Sequence, residues 1–283
     1  MYLTCCNNFC DIVIPSLLFG TINSLIAPRL CMGPALSWPQ ILAVIPWMFL
    51  WSWTNLFMFC LHNQRQPDNI AEDAVNKPWR PIPSGRLTAE QARLLLWILH
   101  PLCLALALWL GGFVPYVVLT LFGIWYNELG GADSGILKNM INGVGLGCSF
   151  AGPLEVATGH SIFSGDADAA FWTGILMATF ATSSHLQDFR DMAGDKLAGR
   201  KTIPLMMGDL PARVSVVAGL ALWTEVASRF WSLEWVARAL PLAAELTLSA
   251  NLFLDRSQPG DSRSWRLWSV WVATLMAMPL MSE

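Results

Sequence analysis

The chain has 283 residues, of which 54% are hydrophobic and only 13% charged, and its mean hydropathy is +0.47. A soluble domain carries roughly 25% charged residues, so this composition excludes a soluble fold and points to a polytopic, all-α membrane protein with the lipid bilayer as its solvent. The net charge of -3 comes with no long basic tract, which excludes nucleic acid as a partner.

A bilayer-spanning helix needs about 20 mostly apolar residues. In chain order the apolar runs are 11–28, 41–62, 89–110, 113–126, 139–159, 169–187, 212–231, 235–254 and 265–281, which predicts nine spans. Pro15, Pro28 and Pro46 interrupt the first two, as membrane helices tolerate when neighbours satisfy the freed carbonyls. Gly111-Gly112 between runs three and four predicts a tight helical hairpin. No basic stretch precedes the first run, so it is expected to serve as the insertion signal. Cys5, Cys6 and Cys10 cluster at the N-terminus, but no His or further Cys pair completes a metal site, and they are read as small packing residues.

Alternating the loops across the bilayer from the polar segment after run two divides the basic residues 14 to 3. By the positive-inside rule that places the two long polar loops in the cytosol. These loops are Asn63–Arg86 and Gln187–Asp209. Each opens with acids, continues with bases and ends in Ile-Pro with a nearby Gly (Ile82-Pro83 and Gly85; Ile203-Pro204 and Gly208). The chain therefore reads as one domain, residues 1–283, built on a repeat: spans 1–4 over about 11–126, spans 5–8 over about 139–254, and a ninth span over about 265–281.

In the second loop Asp188, Asp191 and Asp195 are spaced i, i+3, i+7, which on an α-helix puts them on one face. Three like charges on one face repel unless a hard cation neutralises them. Mg²⁺ prefers oxygen ligands and is usually held by one or two carboxylates together with phosphate oxygens. Arg190, Lys196, Arg200 and Lys201 lie around the same turns, where guanidinium and ammonium groups suit phosphate oxygens. The first loop has the same ingredients: Asp68, Glu72 and Asp73 as carboxylates, Asn63 upstream, and Lys77 and Arg80 downstream, with Pro78, Pro81 and Pro83 stiffening the segment. His185 lies one turn before Asp188. Glu225 and Arg229, four apart, are expected to pair, and Trp265, Trp268 and Trp271 read as an interfacial belt.

On these two loops the chain resembles the UbiA-type prenyltransferase superfamily over nearly its whole length. DFRDMAGD followed by GRKTIP is similar to that family's second aspartate motif, and NKPWRPIPSGR to the segment after its first. Two departures stand out. Asn63, Asp68 and Asp73 are five apart where the family spaces its first motif by four, leaving the metal-binding acid open among Asp68, Glu72 and Asp73. WYNELGGADSGILKN has Tyr126 but no base where acceptor-using members carry Tyr-x-x-x-Lys/Arg. Together with the NKPWRPIPSGR and GRKTIPLMMGD segments, this loop resembles the fungal membrane-bound UbiA-type sesquiterpene cyclases.

The resemblance implies nine transmembrane helices around a central cavity, with cytosolic cap helices carrying both Asp-rich motifs. It implies Mg²⁺, farnesyl diphosphate or another isoprenoid diphosphate as substrate, and a multi-pass location in the endoplasmic reticulum. It assigns no oligomeric state. The expected reaction is ionisation and cyclisation of the prenyl chain, the alternative being its transfer to an acceptor. Trp51, Trp53, Phe57, Trp125, Tyr126, Phe150 and His185 are the candidates to line the cavity, the aromatic faces stabilising a carbocation.

Overall fold

The computed structural model describes residues 2–197, 199 and 201–282. Among these the regular elements are all helical. They are α1 (Tyr2–Asn8), a π-helical turn (Phe9–Val13), α2 (Ile14–Leu25), α3 (Trp38–Gln64), α4 (Pro67–Asn76), α5 (Ala89–Leu110), α6 (Phe113–Glu128), α7 (Gly135–Thr158), α8 (Asp168–Ser183), a 3₁₀ segment (Ser184–Asp191), α9 (Met192–Leu197), α10 (Ile203–Met207), α11 (Asp209–Phe230), α12 (Trp235–Leu254) and α13 (Gln258–Ala277).

Each of the nine apolar runs falls on a helix, and local capping chemistry sets where the helices begin. α5 starts at a reciprocal cap: Thr88 N–H donates to Gln91 Oε1 at 2.9 Å, and Gln91 N–H donates to Thr88 Oγ1 at 3.1 Å. α13 starts seven residues before its apolar run because Ser257 Oγ accepts from Gly260 N–H at 3.2 Å. The first run is less regular than expected: its start is π-helical, and Pro28 lies in a 3₁₀ turn beyond the end of α2.

Three helices, α3, α5 and α11, are long and apolar enough to cross a membrane by length and composition among the described residues. α5 shows what such a helix does with its two faces. Ala92, Leu96, Leu99, Cys103 and Ala107 are buried, while Trp97, Ile98, Leu102, Leu108 and Trp109 are exposed. A helix apolar on both faces suits a hydrocarbon solvent and not water.

The chain divides into two compact units, Met1–Gly130 with Cys148–Ala169, and Gly131–Gly147 with Ala170–Glu283. In the first, α3 packs against α2, α5 and α6. The turn between α5 and α6 needs its glycines. Gly111 and Gly112 have φ of +101° and +74°, and a Cβ on Gly112 would sit 2.7 Å from Trp51 Nε1 and 3.1 Å from the Gly152 carbonyl.

In the second unit, α13 packs on α12 and on the 3₁₀ segment. Two of its three tryptophans are not the interfacial belt that the sequence leads us to expect. Trp268 and Trp271 are buried, and their indole N–H groups donate to Ser183 Oγ at 2.9 Å and Thr224 Oγ1 at 3.0 Å. A buried indole keeps its place by finding an acceptor, and these two find theirs on α8 and α11. Glu225 and Arg229 pair as expected at 2.5 Å, with Arg238 Nη1 adding a contact to Glu225 at 3.2 Å.

The polar anchor of this unit is Arg213, which is 1% exposed. Its guanidinium donates to Asp209 Oδ1 (2.8 Å), to both oxygens of Asp261 (2.7 and 3.0 Å) and to the Leu252 carbonyl (2.8 Å), tying α11, α12 and α13 together. Removing one partner of a buried ion pair leaves an uncompensated charge and costs about 3–5 kcal/mol. Arg213→Met should lower the unfolding temperature in detergent steeply, and Arg213→Met with Asp261→Leu should recover much of the loss. Equal stability of Arg213→Met and the unsubstituted chain would remove Arg213 as the anchor.

Candidate active site

The first acidic loop is organised by α4. Gln66 is extended at its N-cap, Pro67 fits the first helical position, and Asp68 lies in the first turn, where a carboxylate complements the helix dipole. Asp68 is exposed and Glu72 half-buried, whereas Asp73 is 3% exposed. Arg80 Nη1 lies 2.9 and 2.7 Å from the two oxygens of Asp73, with Lys77 Nζ at 4.0 Å. Between them the chain turns repeatedly: Arg80 N–H bonds the Lys77 carbonyl, Ser84 N–H that of Arg80, and Gly85, at φ +72°, bonds Ile82.

Asp73, expected as a metal ligand, and Arg80, expected as a diphosphate clamp, are buried partners of each other. Asn63 is not open either: its amide donates to Asn127 Oδ1 at 3.0 Å, near the end of α6.

The second acidic loop does not continue α8. Residues 184–191 wind as a 3₁₀ helix, and α9 begins only at Met192. The three acids do not share one environment. Asp188 and Asp195 are buried, while the Asp191 side chain is 58% exposed and accepts from Arg190 Nε at 3.3 Å. The Arg190 guanidinium lies over the Trp265 ring, 5.5 Å from its centroid. Lys196 and Lys201 are exposed, and Arg200 lies outside the described residues.

Asp188 is the centre of this cluster. Its Oδ1 accepts from Lys138 Nζ at 3.2 Å, and its Oδ2 is buried with no hydrogen-bond partner among the described residues. Burial pushes the Asp188 carboxyl up; Lys138 pulls it back, and Asp195 and Asp191 push it up further. A buried carboxylate oxygen left without a donor is costly and has the hard character that a divalent cation accepts. Among the described residues no three His, Cys, Asp or Glu side chains converge into a metal site of their own. The donor set thus fits Mg²⁺ held by one or two carboxylates with ligand oxygens completing the shell, and does not fit an all-protein cage.

Lys138 was legible only as a topogenic base. It reaches the site because Gly135 lets α7 start against the second loop. Gly135 N–H bonds the Lys201 carbonyl at 2.9 Å, and a Cβ there would sit 2.5 Å from that oxygen. Beneath the cluster, Arg213 lies over the Phe189 ring at 4.3 Å. His185, a cavity candidate, is buried with Nε2 3.0 Å from Ser215 Oγ and 3.4 Å from the Ala212 carbonyl, so it fastens the segment to α11.

The aromatic candidates are all in the first unit, in different settings. Trp51 and Phe57 are buried, and Phe150 is stacked on Phe19 at 5.5 Å. Trp53 is stacked on Phe49, Tyr126 tilts against Phe59, and Trp125 is exposed beside Phe122.

A neighbouring network escaped the sequence reading. Glu128, at the end of α6, accepts from Gln66 Nε2 at 2.9 Å, from Arg65 and from His62 Nδ1 at 2.8 Å. Burial works to raise the Glu128 carboxyl, but the bonds from His62 and Gln66 and the Arg65 charge hold it below the ordinary range.

Residues 65–271 match the UbiA prenyltransferase family. The chain is 31% identical over 253 residues to the fumagillin beta-trans-bergamotene synthase of Aspergillus fumigatus, covering 89% of this chain and 86% of that protein. It is 30% identical over 239 residues to the somaliensene A/B synthase of Streptomyces somaliensis, covering 82% and 77%. A solved structure of digeranylgeranylglyceryl phosphate synthase superposes with a TM-score of 0.66 at 20% identity, over 95% of this chain and 93% of that one. A UbiA homologue from Archaeoglobus fulgidus bound to GPP and Mg²⁺ superposes with a TM-score of 0.61 at 15% identity, over 95% and 98%. These two likenesses establish the fold.

Because the Lys138 charge is what draws the Asp188 carboxyl down, Lys138→Met should keep Asp188 protonated to higher pH. The infrared carboxyl band that disappears in Asp188→Asn reports this directly. A band that titrates at the same pH with and without Lys138 would refute the pairing.

Proposed function

The chain belongs to the UbiA prenyltransferase family, and on that premise we propose that it is a membrane terpene cyclase. It ionises an isoprenoid diphosphate, with farnesyl diphosphate the expected substrate, and cyclises the prenyl cation to a sesquiterpene. The observation that carries this reading is Asp188: a buried carboxylate with one oxygen on Lys138, the other unpartnered, beside a second buried acid, Asp195. Similarity to two terpene synthases over most of the chain supports it.

Asp188 and Asp195, with Asp191 at the rim, are the proposed Mg²⁺ ligands of the second loop, and Asp68 and Glu72 those of the first. When bound, Mg²⁺ would neutralise diphosphate oxygens and favour their departure. Lys138, Arg190, Lys196, Arg200 and Lys201 would add positive charge for the leaving group, with Lys77 serving the first loop. Charge held in place before reaction stabilises the departing anion more than the bound substrate, which is what accelerates the step. The allylic C–O bond breaks, its electron pair leaves with the diphosphate, and the prenyl chain becomes the cation. Apolar walls exclude water from that cation, and an aromatic face beside it contributes roughly 2 kcal/mol when desolvated. The Asp73–Arg80 pair is assigned to holding α4 against the turns that follow it.

Transfer of the prenyl group to an acceptor is the second reading, favoured by the likeness to digeranylgeranylglyceryl phosphate synthase. Against it, Gly130 stands where the acceptor-using pattern has a base, and the Glu128 carboxylate beside it is taken up by three side chains of the α3–α4 joint. The nine apolar helices are proposed as nine spans of an internal membrane, the endoplasmic reticulum, with both acidic loops facing the cytosol as the 14-to-3 charge division requires.

Membranes containing the chain, given farnesyl diphosphate and Mg²⁺ alone, should release diphosphate and an equimolar cyclic hydrocarbon detectable by gas chromatography. Asp188→Asn should lower turnover by about 100-fold or more. Release that begins only when an acceptor is added would convert the reading to prenyl transfer, and undiminished turnover in Asp188→Asn would remove the site.

A further inference from the structure

Three guanidinium groups lie over aromatic rings among the described residues, and they differ in what their nitrogens do. Arg213, over Phe189, places Nε, Nη1 and Nη2 on Asp209, Asp261 and the Leu252 carbonyl. Arg238, 5.2 Å from the centroid of Trp235, places Nε on the Leu233 carbonyl and Nη1 on Glu225. Both are tied into the fold. Arg190, over Trp265, has one hydrogen-bonded nitrogen among the described residues, Nε on Asp191 Oδ2 at 3.3 Å. A guanidinium carries its donors in a planar fork, and its two terminal nitrogens can bond two phosphate oxygens in parallel. Arg190 leaves that pair open while its face and its Nε edge are both held.

The face is held from outside the acidic loop. Trp265 is half-buried on α13, and its ring stacks on Trp268 with centroids 4.9 Å and planes 10° apart. Trp268 tilts against Phe180 at 5.6 Å, and its indole N–H is the one bonded to Ser183 Oγ. Ser183 Oγ donates in turn to the Thr179 carbonyl at 2.6 Å. Thr179, Phe180 and Ser183 belong to α8, which runs directly into the segment that carries Arg190. The plane of Trp265 is thus set by the helix before the acidic loop, and every residue of the stack lies in the second unit.

Two consequences follow for a loop that is to bind an anion and a cation together. A long side chain, here 33% exposed, loses rotamer freedom when it grips an anion, and a ring already beneath the guanidinium removes part of that loss. Asp191 must also exchange the Arg190 charge for that of a cation. An arginine held only by that carboxylate would lose its place in the exchange, whereas one seated on Trp265 keeps it.

Resting on the cyclase reading, we infer that Trp265 is a positioning residue of the diphosphate site. It seats the Arg190 guanidinium so that Asp191 is given up to Mg²⁺ while the two terminal nitrogens of Arg190 take phosphate oxygens of the leaving group. Arg190 touches the substrate. Trp265 acts through Arg190, and Trp268 and Ser183 set the angle of its ring.

Titration calorimetry of the full chain in detergent, with a thiolodiphosphate analogue of farnesyl diphosphate and Mg²⁺, reads affinity separately from the number of folded sites. Arg190→Met should weaken binding by about tenfold or more, the usual worth of charge-assisted hydrogen bonds. An exposed cation–π contact changes an equilibrium by about two- to fivefold, and Trp265→Leu should weaken binding by that factor. Trp265→Phe, which keeps an aromatic face, should recover most of the loss. In an Arg190→Met background Trp265→Leu should have no further effect, because residues that act through one another are not additive. A Trp265→Leu loss of equal size with and without Arg190, or no loss at all, overturns the inference.

Asp188→Asn in the same titration separates this inference from the reading it rests on. Weakened binding in Asp188→Asn together with an additive Trp265 and Arg190 pair removes only the role of Trp265. No Mg²⁺-dependent binding by the unsubstituted chain removes both. Magnetic resonance spectra of arginine-labelled protein without ligand supply a further arm. The Arg190 Nε–H signal, identified by its absence in Arg190→Met, should shift in Trp265→Leu as the ring current is lost. An unmoved signal overturns the stack.

Discussion

A carboxylate withdrawn from water must be given a positive partner or a donor for each oxygen, because desolvation costs more than any packing contact returns. Much of this molecule follows from that constraint. Three of its buried aspartates answer it in different ways. Asp261 has both oxygens on the Arg213 guanidinium and knits three helices together. Asp73 has both oxygens on Arg80 and folds a proline-rich turn segment back on α4. Asp188 has Lys138 on one oxygen and, among the described residues, no partner on the other. The first two have both oxygens satisfied. The third is incomplete, and that incompleteness is what supports the proposal of a cation there.

The constraint also explains which features were legible in the sequence. Long apolar runs are visible in the sequence, so each of the nine could be read directly and each is helical, three of them long and apolar enough among the described residues to cross a membrane. The Gly111-Gly112 hairpin was legible because two consecutive positive φ angles call for glycine. The pairing of charges across space was not. Lys138 is 50 residues from Asp188, and no local pattern connects them. Asp73 and Arg80 are seven apart with prolines between, a separation outside helix spacing that only the folded turns bring together. The i, i+3 spacing of Asp188 and Asp191 predicts a shared face in α and 3₁₀ winding alike, so the spacing did not reveal that Asp188 is buried and Asp191 exposed. Trp268 and Trp271 were misread as a belt because tryptophan content carries no information about which face of α13 meets α8 and α11.

The two acidic loops are alike in composition and different in physical state. The first spends its strongest acid and base on each other, leaving Asp68 exposed at a helix start. The second keeps a buried, partly unsatisfied carboxylate supported from below by His185 on Ser215 and by Phe189 under Arg213. Support of this kind fixes the acid without neutralising it, which is what a site must do to hold charge ready for a leaving group. Family membership sets the class of chemistry. The side-chain bookkeeping of the second loop identifies which residues this chain would use for it.

The central claim is that the open oxygen of Asp188 is completed by Mg²⁺ carrying a prenyl diphosphate. Titration calorimetry of the purified chain with a non-ionising thiolodiphosphate analogue of farnesyl diphosphate tests it most directly. The account predicts binding that requires Mg²⁺ and is weakened about tenfold or more in Asp188→Asn, in keeping with loss of about 1.4 kcal/mol or more. Equal affinity with and without Mg²⁺, or in Asp188→Asn and the unsubstituted chain, would contradict it.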